Sequence, residues 1–156
     1  MTFPLRTALA VSLSAGTLAT SAGPAPPVAA RAETATQAQC EAASPEAAKF
    51  PCYIKAAERA NREVDRALMQ NLRSAARLDA EFNRFARRHR IPGSTLARQL
   101  RSSQEAWTQY SRSECAFEGG SSFGGSGTDV LEAACHYRLG AARLAELDAA
   151  ARLLSR

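Results

Sequence analysis

Histidine, tryptophan and lysine are scarce in this chain: it holds two histidines and one tryptophan, and lysine occurs only at positions 49 and 55. Nucleophilic catalysis needs a base held against its nucleophile. His89 falls inside a run of arginines and His136 directly follows a cysteine, so both read as surface or packing residues. Close ligand pairs such as Cys-x-x-Cys are missing, which argues against a metal site. The glycine-rich run lacks the Gly-Lys-Ser/Thr ending of a phosphate-binding loop and the strand that should precede it. Sustained alternation with period two is absent, as are Asn-Gly and Asp-Gly turns, so no strand or hairpin is signalled. Glu114 and Glu118 stand at a helical i,i+4 spacing that could do acid and base work, but such pairs on a short helix are usually solvated or bound to an arginine. The chain therefore reads as a binding or structural protein, not an enzyme, with no cofactor and no metal.

A length of 156 residues suits one domain with one modest core. Residues 1–32 read as a secretory leader: Arg6 precedes a small-residue apolar run that starts at Thr7 and is ended by Pro24, Pro26 and Pro27. Small residues, or Val28, allow cleavage after Ala22, Ala30 or Ala32, and the later pair is favoured. Serine, threonine and glycine interrupt the run, which makes a retained span of about 20 apolar residues a poorer reading. Nothing later in the chain reads as a membrane span. A short linker is expected over 33–39 and a helical domain over 40–156. No cysteine stands at the end of the leader, so a periplasmic or secreted protein without a lipid anchor is expected. Of 20 basic and 15 acidic residues, removal of Arg6 and Arg31 leaves 18 against 15, a formal +3. The one local concentration is Arg84, Arg87, Arg88, His89 and Arg90. It fits a helix C-terminus, where cations oppose the negative end of the dipole. The competing reading is an anionic partner, with nucleic acid disfavoured because no interleaved aromatics offer a stacking surface.

Cys40, Cys52, Cys115 and Cys135 form an even set behind an export signal, which favours disulfides over free thiols. Three pairings are possible. Local pairing, Cys40 with Cys52 and Cys115 with Cys135, is preferred because each pair brackets loop chemistry: Ser44-Pro45 in one case, the Gly/Ser run in the other.

Between 52 and 90 the positions Ile54, Ala57, Val64, Leu68, Leu72, Ala75, Leu78, Phe82 and Phe85 recur at steps of three and four, the pattern of one long amphipathic helix. Ile91-Pro92-Gly93-Ser94 ends it, with Ser94 able to cap the next helix. That second helix is expected from about Thr95 to about Phe117, with Leu96, Leu100, Trp107 and Tyr110 on one face. Thr128 is the natural cap of a third helix carrying Val130, Leu131, Ala134, Leu139, Leu144, Leu147 and Leu154. The expected fold is all-α: an antiparallel three-helix assembly with a disulfide-clipped, Gly-rich loop between helices two and three. Trp107 reads as core packing or as an interface anchor.

The segments SQEAWTQYSRSECAFEGGSSFGGSG and CHYRLGAARLAEL, with QCEAASPEAAKFPCYIKAAERANREVDRAL before them, resemble the LprI-like lysozyme-inhibitor family of exported bacterial domains. The likeness spans Cys40 to about Asp148. Its motif falls on Gln104, Trp107, Tyr110, Glu114, Cys115, Ala116, Phe117, Glu118, Cys135, Leu139, Arg143, Glu146 and Leu147. The chain departs from the pattern at Ser111-Arg112, where the family carries Arg-Asp, and at Gly140, where it carries threonine. The resemblance implies a binding protein that blocks lysozyme-type muramidases. Gln104, Trp107, Tyr110, Glu114, Phe117, Glu118, Phe123 and Arg143 are its candidate binding residues. Phe123, flanked by Glu118 and Asp129, would enter a cationic cleft. Net charge opposes long-range steering toward a basic lysozyme. The alternative is a structural or adaptor module that holds another envelope protein.

Overall fold

A computed structural model describes residues 28–125 and 127–155, with side chains from Ala35 onward, so residues 1–27 of the expected leader lie outside it. Four α-helices are present, and no strand occurs among the described residues: α1 (Val28–Glu41), α2 (Lys49–His89), α3 (Leu96–Gly120) and α4 (Thr128–Leu154), with a single 3-10 turn at Glu46–Ala48. Three helices were expected; α1 is the addition. Residues 33–39, expected as a linker, lie inside it. Alanine-rich sequence has high helix propensity without an apolar stripe, so no periodicity announces this helix.

The pairing of residues fixes the direction of each helix. Asp79 of α2 bonds Ala97 of α3, and Cys115 of α3 joins Cys135 of α4, so each of these neighbours runs antiparallel to the next. Tyr53 packs on Tyr137, Ala60 lies by Gly140, and Asn71 bonds the Leu147 carbonyl, so α2 and α4 run in the same direction. The contact between α2 and α4 is the most extensive in the molecule.

That seam is built from small residues. Ala56, Ala57 and Ala60 of α2 are buried with Ala133 and Tyr137 of α4, together with Tyr53 and Cys40. A Cβ added at Gly140 would stand 3.1 Å from the Ala60 Cβ, so the glycine lets two helices approach closely. Asn71 is 2% exposed and donates to the Leu147 carbonyl at 2.7 Å, a satisfied polar contact across the seam. Tyr53 is also buried and its hydroxyl donates to the Glu41 carboxylate at 2.6 Å, tying α2 to α1. Burial, then this bond, pushes the phenol well above its ordinary range.

Both expected disulfides are formed, Cys40–Cys52 and Cys115–Cys135, with Cα separations of 5.5 and 5.3 Å. The second lies in a small core with Leu139, against which Trp107 packs.

Several boundaries differ from expectation. α3 continues through Gly119 and Gly120, which were expected in the loop. At Gly119 an added Cβ would stand 3.2 Å from both the Glu132 Cβ and the Thr128 carbonyl oxygen, so this glycine serves packing against α4. Thr128 does not cap α4; the cap position is Gly127, without a side-chain bond, and the Thr128 hydroxyl pairs with Ser122 instead. Ser94 does not cap α3 either. The cap comes from α2: the Asp79 carboxylate accepts from the Ser94 hydroxyl at 2.5 Å, the Leu96 N–H at 2.9 Å and the Ala97 N–H at 3.0 Å. Asn83 fixes the same turn by accepting from the Ser94 N–H and donating to its carbonyl. Leu96 and Tyr110, expected to share one face of α3 with Leu100 and Trp107, are 39% and 52% exposed.

The Ser94 bond, followed by the bond from Ala97, holds the Asp79 carboxyl below the usual carboxylate range, helped by the Leu96 N–H and the charge of Arg98. A depressed folded value contributes stability above the unfolded value of about 3.9, and this is lost as pH falls through the lower folded value. Asp79→Ala is expected to lower stability by about 1 kcal/mol at neutral pH. In urea titrations that gap from the parent should narrow below about pH 4; a gap independent of pH contradicts the ionised cap. Replacing Cys115 and Cys135 by serine together is expected to cost about 3 kcal/mol in the same titration.

Candidate binding surface on the α3–α4 hairpin

The hairpin of α3 and α4 carries every residue of the candidate set, and burial divides them in two. Gln104, Trp107 and Arg143 face inward. Arg143 is 7% exposed, and each nitrogen of its guanidinium donates a hydrogen bond. Its Nε donates to the Gln104 side-chain oxygen at 3.0 Å, one terminal nitrogen to Glu146 at 2.8 Å and the other to Ser103 at 3.2 Å. The guanidinium carbon stands 6.0 Å from the Trp107 ring centroid, within cation–π range. Gln104 lies one turn before Trp107 and so reaches the same arginine from the same helix face. These motif residues form an internal clamp across the antiparallel helices, on the side of Trp107 away from the disulfide. Trp107 is partly buried, against Cys115, Cys135 and Leu139.

Tyr110, Glu114 and Phe117 stand at steps of four and three on α3, and the two aromatics turn outward. Tyr110 is 52% exposed, Phe117 73% and Phe123, on the loop, 98%. Glu114 is half-buried and Glu118 is held by Arg138 of α4. Phe123 sits at φ 53°, in the left-handed region that aromatic residues seldom occupy, followed by Gly124 at φ 78°. The disulfide anchors the roots of this segment, since Cys115 precedes it by eight residues and Cys135 follows it by twelve.

Other features carry less chemistry. A shallow groove of about 250 Å³ runs beside Trp107, with Asp65, Ser111, Arg112 and His136 among its lining residues. His136 lies between Ser111, at 3.5 Å, and Glu132, at 3.8 Å. His89 stacks on Phe85 with ring centroids 4.1 Å apart. Among the described residues no group of three or more His, Cys, Asp and Glu side chains could hold a metal. No buried side-chain nitrogen or oxygen there lacks a partner, so no buried polar atom is left reaching for a ligand. Sequence reading missed the clamp's Ser103 and the Arg138–Glu118 pair. A lone serine and a lone arginine carry no spacing signal, and only the register of the two helices joins them to their partners.

These observations define an all-helical, disulfide-bonded protein whose unusual residues are displayed on an outer surface. Residues 36–147 match the family described as lysozyme inhibitor LprI, and the chain belongs to that family. No curated protein and no solved structure matches it. Membership implies a lysozyme inhibitor-like function, and together with the disulfides it points to an extracytoplasmic protein. No helix among the described residues is long and apolar enough to cross a membrane.

The clamp has a direct spectroscopic reporter, because Trp107 is the single tryptophan. Arg143→Met should leave Gln104 without its partner and remove the cation over the ring. The expected outcome is a loss of about 1–3 kcal/mol in urea unfolding and a red-shifted tryptophan emission; unchanged emission would place the ring outside the clamp.

Proposed function

We propose that the protein binds a lysozyme-type muramidase through the outer edge of α3 and the loop that follows, and so keeps the enzyme from its polymer. The observation that carries this reading is the exposure of two phenylalanines, Phe117 and Phe123, at one end of a disulfide-anchored hairpin. Large apolar side chains left in water at one place mark an interaction surface, and aromatics of this kind supply anchors at low conformational cost. The left-handed backbone at Phe123 supports the same assignment, since strained residues collect at binding segments. Gln104, Trp107 and Arg143 act here by fixing the spacing of α3 and α4, and Tyr110, Glu114, Phe117 and Phe123 meet the partner. Glu118, paired with Arg138, borders the contact.

Net positive charge opposes encounter with a basic lysozyme, but the charge is unevenly placed. From Phe82 to Gln104 there are six arginines and no acid. The last arginine of this stretch, Arg101, stands on α3 thirteen residues before Glu114, roughly 20 Å along the helix. That distance is more than twice the Debye length of about 8 Å at physiological salt. The loop end, with Glu114, Glu118 and Asp129, is largely screened from that stretch, and its own cations are Arg112 and Arg138, the latter paired with Glu118.

We further infer that residues 1–32 direct export and that the protein works in the periplasm or beyond. Removal of the leader after Ala30 or Ala32 keeps the end of α1 that carries Cys40.

Inhibition is measured as the rate of cell-wall clearing by lysozyme in the presence of the purified, disulfide-bonded protein. Phe117→Ala and Phe123→Ala should each weaken inhibition about tenfold or more with unchanged urea stability. Unimpeded clearing at micromolar excess of the parent protein ends this proposal and leaves the envelope adaptor reading.

A further inference from the structure

The end of the bundle opposite the glycine loop combines two features that neither packing nor the helix dipole explains. The first is apolar. α4 closes at Leu154, seven residues or roughly 10 Å past Leu147, whereas Phe82 lies eleven residues or roughly 16 Å past Asn71, the partner of Leu147. The apolar stripe of α2 therefore outruns the helix that covers it. Phe82, Phe85, Ile91 and Leu96 are 43%, 45%, 44% and 39% exposed. Phe82, Phe85 and Leu96, with Leu78, line an open groove of about 650 Å³ between α2 and the start of α3.

The second feature is charge. Arg84, Arg87, Arg88, Arg90, Arg98 and Arg101 are all exposed, and none is in an ion pair among the described residues. The α2 dipole accounts for Arg87, Arg88 and His89 in its last turn. It does not account for Arg98 in the positive first turn of α3, where the Asp79 carboxylate alone offsets the cation, nor for Arg101, which lies one turn further on and beyond the dipole's reach. Glu81 is the one acid bordering the groove, and Asp79 is consumed in capping α3.

We propose that this end of the molecule docks on an anionic lipid bilayer, with Phe82, Phe85, Ile91 and Leu96 entering the boundary between headgroups and acyl chains and the arginines meeting lipid phosphates. An anionic sugar polymer or nucleic acid would use the arginines but has no place for four exposed apolar side chains; a neutral apolar partner would have no use for six unpaired cations. Only an amphiphilic anionic surface satisfies both. Arginine suits the position because its stem lies along apolar surface while its guanidinium reaches phosphate. Docking in this way holds the bundle against the membrane and leaves the loop with Phe123 at the far end.

The test is sedimentation of the full, disulfide-bonded chain with vesicles of phosphatidylglycerol and phosphatidylethanolamine, against vesicles of phosphatidylcholine. The expected result is about tenfold or greater preference for the anionic vesicles, falling with added salt. Phe82→Ser with Phe85→Ser, and separately Arg87→Glu with Arg88→Glu, should each reduce the bound fraction about tenfold. Circular dichroism and inhibition of lysozyme should be unchanged in both. Equal binding to both vesicle types, or binding that ignores both variants and so runs through residues 1–32, overturns the proposal. So does sedimentation equilibrium showing a lipid-free dimer that Phe82→Ser with Phe85→Ser dissolves, since the covering partner would then be a second copy. The lysozyme result does not bear on this outcome, because the two surfaces lie at opposite ends of the bundle.

Discussion

The Cys115–Cys135 bridge occupies the place where a larger bundle would put a pair of leucines. Both cysteines are 1% exposed or less, and Leu139 and Trp107 pack on them. Elsewhere the core is largely alanine, with Tyr53, Val64 and Leu147 as the large fully buried side chains. Small residues bring α2 and α4 close, which favours dispersion contacts but removes little apolar area from water. A bundle with so small an apolar contribution has little margin over the entropy of ordering its chain. Constraining the unfolded chain at two places supplies what the core lacks, and Cys40–Cys52 does so for α1, which otherwise holds to α2 through few contacts such as Tyr53 with Glu41. Folding into this shape therefore belongs to a compartment where the sulfurs are oxidised.

How much of this was legible in the sequence depended on whether the signal was local. The long stripe of α2, the turn at Pro92-Gly93, the helical class and the two local sulfur pairs all follow from residues near one another in the chain. α1 escaped because alanine and threonine give propensity without periodicity. Glycine misled in a specific way: Gly119 was read as loop chemistry, yet it lies inside α3, where a Cβ would crowd the Glu132 Cβ and the Thr128 carbonyl oxygen at 3.2 Å. Gly140 has the same role beside Ala60. A glycine needed for close approach and one needed for a turn look alike until the neighbouring helix is in place. Asp79 is the counterpart among caps. Its carboxylate serves a helix that starts seventeen residues later, while the local candidate, Ser94, became one of its donors.

The candidate site was legible as a set but not as two parts. Gln104, Trp107, Tyr110, Glu114 and Phe117 follow one another at helical steps, and a motif of that kind does not say which members face a neighbour. Register decides it. Gln104 and Trp107 meet Arg143 because the disulfide fixes how α3 and α4 slide, whereas Tyr110 and Phe117 fall on the flank that no helix covers. A buried guanidinium bonded through each of its three nitrogens is a rigid spacer, and breaking its partners would leave a costly unpaired charge. The clamp is thus geometric in effect: it holds the aromatic flank and the loop in one arrangement, which limits the ordering cost of any contact made there.

The molecule is polar along its length. Acidic and aromatic residues collect at the loop end of the hairpin, and arginines with aliphatic and aromatic side chains collect where α2 turns into α3. Mixing these charges over one surface would have allowed many ion pairs, each worth little in water. Gathering the arginines at the α2–α3 turn, while Glu114, Glu118, Asp129 and Glu132 outnumber Arg112 and Arg138 at the loop end, leaves two local fields of opposite sign that salt largely screens from each other. The same separation explains why a formal net charge, which sums both ends, is a poor guide to what either end attracts.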